Sequence, residues 1–108
     1  MKLWVDDVRE APEGYTWCKS TNEALCKIRN NPDDIELIDL DHDAGCYHED
    51  GGDYINILGE LERLCHYDET RKDWVPRCIK FKFRIHSANS VGIANMRAII
   101  WHNGWEEV

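Results

Sequence analysis

Long apolar segments are missing from this 108-residue sequence. No run approaches the roughly 18 residues that a membrane-spanning helix needs. The first residues, MKLWVDD, lack the apolar centre of a secretion signal. The five cysteines form no C-x-x-C pair, and their odd number and scattered positions argue against a disulfide framework. We therefore expect a cytoplasmic protein that makes no membrane contact.

Positive charge is also scarce. The chain has 13 lysines and arginines against 21 aspartates and glutamates, which gives a net charge of −8. Such a surface does not bind an extended DNA duplex by charge alone, since phosphate backbones attract basic proteins. A phosphate-bearing ligand held locally by a metal ion or an arginine remains compatible with this charge.

The content of hydrophobic and aromatic residues indicates a globular protein. Hydrophobic residues make up 43% of the chain, with five tryptophans and four tyrosines. A chain of this length supports one core but not two, so we expect a single domain over residues 1–108. We expect four of the tryptophans to lie in this core: Trp4, Trp17, Trp101 and Trp105.

Short apolar runs alternate with longer amphipathic segments along the chain. The clearest strand signal lies near the end, where apolar residues from Ile79 to Ile85 alternate with lysines and an arginine, as in an edge strand or a sheet with one wet face. The first connection, residues 8–14, is too short for a helix of normal length. This order of elements favours an open α/β sheet, mostly parallel.

Predicted strands cover 2–5, 15–18, 35–40 and about 79–86. The first predicted helix is capped by Ser20 or Thr21 and stops at residues 30–32. The second is capped by Asp53 and continues to about residue 66, and the third is capped by Asn89 or Ser90 and covers 91–104.

Polar side chains follow three of the predicted strands. Asp6-Asp7 follow the first strand, Asp41-His42-Asp43 the third, and His86-Ser87 the last. The carboxyl ends of parallel strands meet at one edge of a sheet, where ligands bind. Crowded carboxylates need protons, an arginine or a divalent cation, and oxygen ligands suit Mg²⁺, Mn²⁺ or Ca²⁺. The start of the last helix is a natural seat for a phosphate group.

Several of these polar residues also have structural interpretations. Strand ends, turns and helix caps use the same residue types without any chemistry. We expect Asp39 to be structural, facing away from Asp41 or paired with a basic residue. A zinc site at His42, Cys46 and His48 is disfavoured, because zinc sites usually combine two separated pairs of ligands.

The chain also resembles a known family. The segments WVDDVREAPEGY, LDHDAG, GGDY and HSANSVGIANM are similar to those of cyclic-phosphate-processing receiver domains of bacteria and phages, and more distantly to receiver domains of two-component signalling. The resemblance implies a small receiver-like (flavodoxin-like) α/β fold, a three-layer sheet of about four mostly parallel strands. It also implies that Asp6 and Asp7 bind metal, that Asp41 matches the phosphoryl-acceptor position and that Ser87 matches the hydroxyl position.

The sequence departs from true receivers in ways that affect function. It has no helix between the first two strands, and after HNGWEEV it offers no equivalent of the fifth strand, its lysine or the last helix. The fold is thus predicted to be truncated, and reversible phosphorylation of Asp41 is disfavoured. His42, Asp43 and His86 are not receiver features, and they suit acid–base work on a phosphoester.

We therefore predict a phosphoesterase that depends on Mg²⁺ or Mn²⁺ and acts on cyclic or terminal phosphates of nucleotides or RNA ends. A non-catalytic receiver-like module that binds a nucleotide or a protein is the alternative, and a phosphoacceptor receiver is a third possibility. The predicted partner is a phosphate-containing small molecule or an RNA end. The predicted site consists of catalytic Asp41, His42 and His86, metal-binding Asp6, Asp7 and Asp43, and phosphate-binding Arg9, Ser87 and Asn89.

Overall fold

A four-stranded parallel sheet forms the centre of the structure, a computed structural model that describes residues 1–64, 67–68, 73–74 and 79–108. The order of its strands is β2-β1-β3-β6, and β4 and β5 form a separate antiparallel pair. The α/β class and the parallel sheet are as predicted. The strands are β1 (Lys2–Val5), β2 (Tyr15–Cys18), β3 (Leu37–Leu40), β4 (Tyr67–Asp68), β5 (Asp73–Trp74) and β6 (Lys82–Ile85), and the helices are α1 (Thr21–Asn30), α2 (Ile55–Leu64) and α3 (Ser90–His102).

Side-chain caps fix where two of the helices begin. The Ser20 hydroxyl accepts a hydrogen bond from the Glu23 amide at 3.0 Å, and the Asn89 side chain accepts one from the Gly92 amide at 2.9 Å. Each bond satisfies an amide that has no partner within its own helix. The predicted beginnings of α1 and α3 are thereby confirmed. The predicted continuation of α2 to residue 66 lies outside the described residues. The last strand begins at Lys82, three residues after its predicted start near residue 79.

The hydrophobic core lies on one face of the sheet. Leu3, Val5, Ile38, Leu40 and Phe83 are fully buried there and pack with apolar residues of all three helices. Neighbouring positions along each strand point the other way because side chains alternate across a sheet. In β6 this alternation confirms the prediction, since its apolar residues are covered and its basic residues are exposed.

The number of layers differs from the three-layer arrangement expected. Helix α1 contacts α2, and α2 contacts α3, so the described helices form one layer against one face of the sheet. Strands β1 and β2 run parallel, yet the nine residues 6–14 that join them contain no helix. A helix in that connection would have covered the second face. Its absence leaves two layers among the described residues.

The last residues of the chain bear on the predicted truncation. Residues 106–108 lie along the outer edge of β6, where the Phe83 amide donates to the Glu106 carbonyl at 2.8 Å and the Val108 amide donates to the Phe83 carbonyl at 2.8 Å. These contacts form an isolated bridge and not a further strand, so the predicted truncation stands, but the outer edge of β6 is partly covered. Gly104, with φ +69°, reverses the chain after α3, and Trp105 packs against the ring of Phe83. This edge segment still contains no lysine.

The tryptophans are less buried than predicted. Trp101 is 66% exposed on α3, so its expected place in the core is wrong. Trp4, Trp17 and Trp105 are half-buried. None of the helices in the described part of the chain is long and apolar enough to cross a membrane.

Phe83 is the most informative core residue to test. Its ring is fully buried and lies 5.4 Å from the rings of both Phe81 and Trp105. We expect Phe83→Ala to lower the free energy of unfolding by about 3–5 kcal/mol, because it leaves a cavity between the sheet and the C-terminal edge segment. Urea unfolding followed by circular dichroism measures the change. Val91→Ala, at a position 70% exposed, is the control and should stay within about 0.5 kcal/mol of the wild type.

Candidate functional site

Three carboxylates meet at the carboxyl edge of the sheet. Asp6 and Asp7 follow β1 and Asp41 follows β3, which is hydrogen-bonded to β1. One oxygen from each of the three lies within 4.8 Å of the others. We call this group the acid cluster. Its residues are separated by 34 positions in the sequence and are joined only because the two strands run parallel and in register.

Asp6 is the most buried member of the acid cluster, with no exposed surface. Its Oδ1 accepts hydrogen bonds from the amides of Val8 and Arg9 at 2.9 and 2.8 Å, and its Oδ2 lies 2.9 Å from Nε2 of His86. Burial alone acts to raise the pKa of Asp6, but the two amides and His86 outweigh it and lower the pKa below its ordinary value. Asp6 is therefore a permanently ionised group at neutral pH.

The pKa of Asp7 is shifted in the opposite direction from that of Asp6. Its partial burial and the negative charges of Asp6 and Asp41 raise the pKa of its carboxyl group. A Cβ atom at Gly45 would collide with the Asp7 carboxylate, and Gly45 has φ +55°, so only glycine suits this approach. Three crowded carboxylates that repel one another are a donor set that fits a hard divalent cation.

His86 joins the acid cluster to a second buried carboxylate. Its Nδ1 lies 2.6 Å from Oδ1 of Asp39, and its Nε2 lies 2.9 Å from Oδ2 of Asp6. The imidazole also stacks on the Trp4 ring, with centroids 3.8 Å apart and planes within 7°. Burial acts to lower the pKa of His86, but the hydrogen bonds and charges of Asp39 and Asp6 outweigh it and raise the pKa. Both ring nitrogens can donate to carboxylates only when the imidazole is protonated.

Asp39 and Trp4 are parts of this arrangement that the sequence analysis did not assign to the site. Asp39 is 2% exposed and, besides His86, lies 4.0 Å from the Arg84 guanidinium. The expected basic partner is therefore present, but Asp39 is also linked to the acid cluster through His86. Two signals were available in the sequence. Residues two apart on a strand share a face, as do Asp39 and Asp41, and an acid inside a buried strand requires a polar partner.

His42 forms a separate arrangement at the beginning of α3. Its Nδ1 lies 2.7 Å from Oδ1 of Asp43 and 3.5 Å from Nδ2 of Asn89. Its side chain is 14% exposed and packs against Gly92, where an added Cβ would lie 2.5 Å from the ring. Its other nitrogen, Nε2, has no hydrogen-bond partner among the described residues. That atom is available to exchange a proton with a ligand.

Asp43 lies with His42 and not in the acid cluster. His42, Asp43 and Asp53 each offer a ligand atom within 4.8 Å of the others, while Asp41 completes the cluster with Asp6 and Asp7. The predicted metal ligands are thus divided between two places. Asp53 does not cap α2 as expected, since its Oδ1 accepts a hydrogen bond from the Ala44 amide at 3.0 Å. Cys46 and His48 are exposed and join neither group, which leaves the zinc interpretation without support in the described part of the chain.

The three residues predicted to contact phosphate differ in where they lie and in which of their atoms are already hydrogen-bonded. Asn89 is the cap of α3 beside His42, and the Ser87 hydroxyl accepts a hydrogen bond from the Asn89 amide at 3.1 Å. Arg9 contributes its backbone, since its amide donates to Asp6 and its carbonyl accepts from Trp4 Nε1 at 2.8 Å. Its guanidinium is exposed and has no partner among the residues described. All three assignments remain predictions.

Comparison with protein families identifies the relationship. The family described as "Cyclic-phosphate processing Receiver domain" matches residues 1–102. The chain belongs to this family. The match covers both polar strand ends of the acid cluster, His86 and all of α3. Comparisons with curated proteins and with solved structures each found no match. Membership connects the chain to cyclic-phosphate processing, and the geometry above indicates which residues are available for it.

The bridge made by His86 should appear in the pH dependence of stability. A raised histidine pKa stabilises the fold fully below about pH 6.5 and loses this contribution as pH rises through the folded-state value. The lowered pKa of Asp6 stabilises the fold above about pH 4 and loses its contribution as pH falls. We expect the destabilisation caused by His86→Gln to be largest between about pH 4 and 6.5, and smaller at pH 9.

Urea unfolding of both proteins across this pH range, in the presence of a chelator, measures the difference. His102→Gln is the matched control, because His102 is exposed at the end of α3. If His86→Gln lowers the free energy of unfolding by the same amount from pH 5 to pH 9, the bridge does not depend on a protonated His86.

Gly92 tests the placement of His42. We expect Gly92→Ala to push the imidazole away from α3, because the new methyl group would lie 2.5 Å from its ring. The imidazole resonances of His42 in NMR spectra should shift, while circular dichroism shows the helices retained. Gly59→Ala in α2 is the control: it has open space, should stabilise the helix by about 1 kcal/mol and should leave His42 unchanged. Unshifted His42 signals in Gly92→Ala would show that the close packing is not present in solution.

Proposed function

We propose that this protein is a divalent-metal-dependent phosphoesterase that opens a cyclic phosphate. The observation that carries the proposal is the proximity of two kinds of group at one edge of the sheet. The acid cluster offers a cation seat, and His42, packed on the first turn of α3, has one unengaged nitrogen. Family membership supports cyclic phosphates as the substrate class.

Asp6, Asp7 and Asp41 are the residues that would hold the cation. Their oxygens converge within 4.8 Å, and partial burial together with the charges of Asp6 and Asp41 raises the pKa of Asp7. Oxygen donors of this kind favour Mg²⁺ or Mn²⁺ over softer metals. When bound, such an ion polarises a phosphoryl oxygen and favours ionisation of a water molecule.

His42 is the residue that we assign to proton transfer. With Nδ1–H donated to Asp43, neutral His42 has a lone pair on Nε2 that can accept a proton from water. The water oxygen bonds to phosphorus, the bond from phosphorus to one ribose oxygen breaks, and the proton then passes from Nε2 to that leaving oxygen. The product is a phosphomonoester, and one water molecule is consumed.

The beginning of α3 is the proposed seat of the remaining phosphate oxygens. The Asn89 side chain accepts the hydrogen bond of the Gly92 amide. The amides of Ser90 and Val91 have no acceptor among the residues described. Unpaired amides at a helix N-terminus attract anions, and α3 is 13 residues long. Ser87 and Asn89 border this position and are the side chains that we propose to contact phosphate.

We assign His86 a positioning role and not the acid–base role expected from the sequence. Both of its nitrogens are engaged by buried carboxylates, so neither is free to exchange protons with a ligand. The imidazolium holds Oδ2 of Asp6 and supplies a fixed positive charge beside the acid cluster. Receivers use a lysine of the fifth strand for a charge in this region, and the segment 106–108 has none.

The same engagement of His86 favours a second candidate, a module that binds a cyclic nucleotide without turnover. Only His42 then remains as an unengaged imidazole in the site, and a receiver-like fold can serve as a sensor. The two candidates differ in one measurable property, because only the phosphoesterase converts its ligand.

Hydrolysis of 2′,3′- and 3′,5′-cyclic nucleotides, with and without Mn²⁺, tests the proposal. We expect Mn²⁺-dependent ring opening, abolished by a chelator and reduced about 100-fold or more in His42→Gln, because a general base contributes about 10²–10⁴-fold. Asp41→Asn should weaken Mn²⁺ binding by more than tenfold in calorimetry, since loss of even an outer-shell partner costs about 10- to 100-fold.

Asp33→Asn is the matched control, because it removes one exposed carboxylate from the loop before β3, at the opposite end of that strand from Asp41, and should change neither property. Tight binding of a cyclic nucleotide without any product would favour the binding module. Absence of both metal binding and hydrolysis would refute the proposed function.

A further inference from the structure

The side of α3 that faces away from the core is apolar and exposed. A helix with apolar residues on all sides is normally covered on all sides. In α3 only the side of Gly92, Met96 and Ile100 is buried. We call four exposed apolar residues on the opposite side the α3 stripe: Val91, Ala94, Ala98 and Trp101. Its two large members are the most open, with Val91 70% exposed and Trp101 66% exposed.

The spacing of the α3 stripe makes it one continuous surface. Its residues lie three, four and three positions apart, which places their side chains in a line along the helix and is the spacing of paired helices. From Val91 to Trp101 the line is about 15 Å long at the usual rise per residue. The α3 stripe is therefore shaped to receive another helix along its length.

Charge is nearly absent from this helix, although the whole chain carries −8. Residues 90–102 include no aspartate or glutamate, and their one arginine, Arg97, is already paired with Glu107 at 2.8 Å. Two copies of an acidic protein repel each other least where neither contributes carboxylates to the contact. Few charges and an exposed tryptophan are also typical of the centre of a protein interface. The α3 stripe thus offers no charge that would select a strongly acidic or basic partner.

The order of side-chain sizes makes the α3 stripe complementary to itself. Its spacing is symmetrical about residue 96, so a two-fold axis at that point pairs Val91 with Trp101 of the second copy, and Ala94 with Ala98. An interface between identical copies needs this reciprocity. Each large tryptophan then meets a smaller valine, and the alanines let the two helices approach closely. A parallel pair would instead set the two tryptophans against each other and hold the alanines apart.

We infer that the α3 stripe binds a second copy of this chain, with the two α3 helices antiparallel. A contact about 15 Å long buries less than the roughly 1,200–2,000 Å² of stable complexes, so the dimer is weak and dissociates on dilution. The inference is independent of the proposed function. Because Val91 belongs to the first turn of α3, the second copy borders the proposed phosphate seat.

Sedimentation equilibrium of the full chain from about 10 µM to 1 mM measures the dissociation constant of the dimer. A reducing agent is included, because Cys26 and Cys46 are exposed. We expect Trp101→Lys to raise the dissociation constant about tenfold or more, since small interfaces depend on a few large anchors. Cys26→Lys is the matched control, because it adds the same charge at an exposed position of another helix, α1, and should leave the constant unchanged.

A pair of opposite charges tests the antiparallel arrangement. Val91→Glu and Trp101→Lys should each weaken the dimer, but the double variant Val91→Glu/Trp101→Lys places each glutamate against a lysine of the second copy. We expect it to regain about tenfold or more of the lost affinity at low salt and to lose that gain at high salt. Both positions are exposed, and an acid in the first turn of a helix with a base in the last suits its dipole, so the variants should fold.

Dilution of the wild type, followed by NMR, locates the contact without any substitution. The amide signals of Ala94 and Ala98 and the indole signal of Trp101 should shift, while signals of α1 stay in place. A protein that remains monomeric at the highest concentration, or a dimer that Trp101→Lys leaves intact, would overturn the inference. A double variant that dimerises more weakly than either single variant would overturn the antiparallel arrangement, because parallel helices set like charges against each other.

Discussion

The bridge from Asp39 through His86 to Asp6 is the interaction on which the rest of the site depends. Three strands contribute one residue each, and two of these residues are carboxylates with almost no exposed surface. Buried carboxylates without partners would be strongly destabilising, so the imidazolium and the amides of Val8 and Arg9 are needed to keep them in place. The bridge thus fixes Asp6 for the acid cluster, and it ties β1, β3 and β6 together at their carboxyl ends.

A shortened connection explains much of how the molecule differs from a complete receiver. Residues 6–14 pass from β1 to the parallel strand β2 without a helix, so one face of the sheet stays free of helices in the described structure. The connection instead serves the site through its backbone, where two amides bind Asp6 and the Arg9 carbonyl accepts from Trp4. Loss of a helical layer is the consequence of this short loop.

The two histidines and the two neighbouring aspartates of the site differ in their electrostatic environment. His86 lies between two carboxylates that raise its pKa, whereas His42 has one carboxylate partner and one unengaged nitrogen. Asp6 is kept ionised by amides and by His86, while the pKa of its neighbour Asp7 is raised by partial burial and by the charges of Asp6 and Asp41. Identical residue types in one site therefore have different environments. The proposed phosphoesterase would use this difference, with His42 for proton transfer and the acid cluster for the cation.

Much of this could be predicted from the sequence, because its signals are local. Strand and helix order, the caps at Ser20 and Asn89, and three polar strand ends follow from short-range patterns and from the parallel sheet that they imply. The partners of each polar group could not be predicted, because they depend on register and on side-chain direction across strands. Asp39 belongs to the site although it was predicted to be structural, and Asp43 lies outside the acid cluster although it was predicted to bind the metal with Asp6 and Asp7. Both differences come from contacts between residues that are close only after folding. Tertiary structure alone decided which histidine is held by two carboxylates and which keeps one nitrogen unengaged, since burial and pairing are properties of the packed sheet and not of the chain.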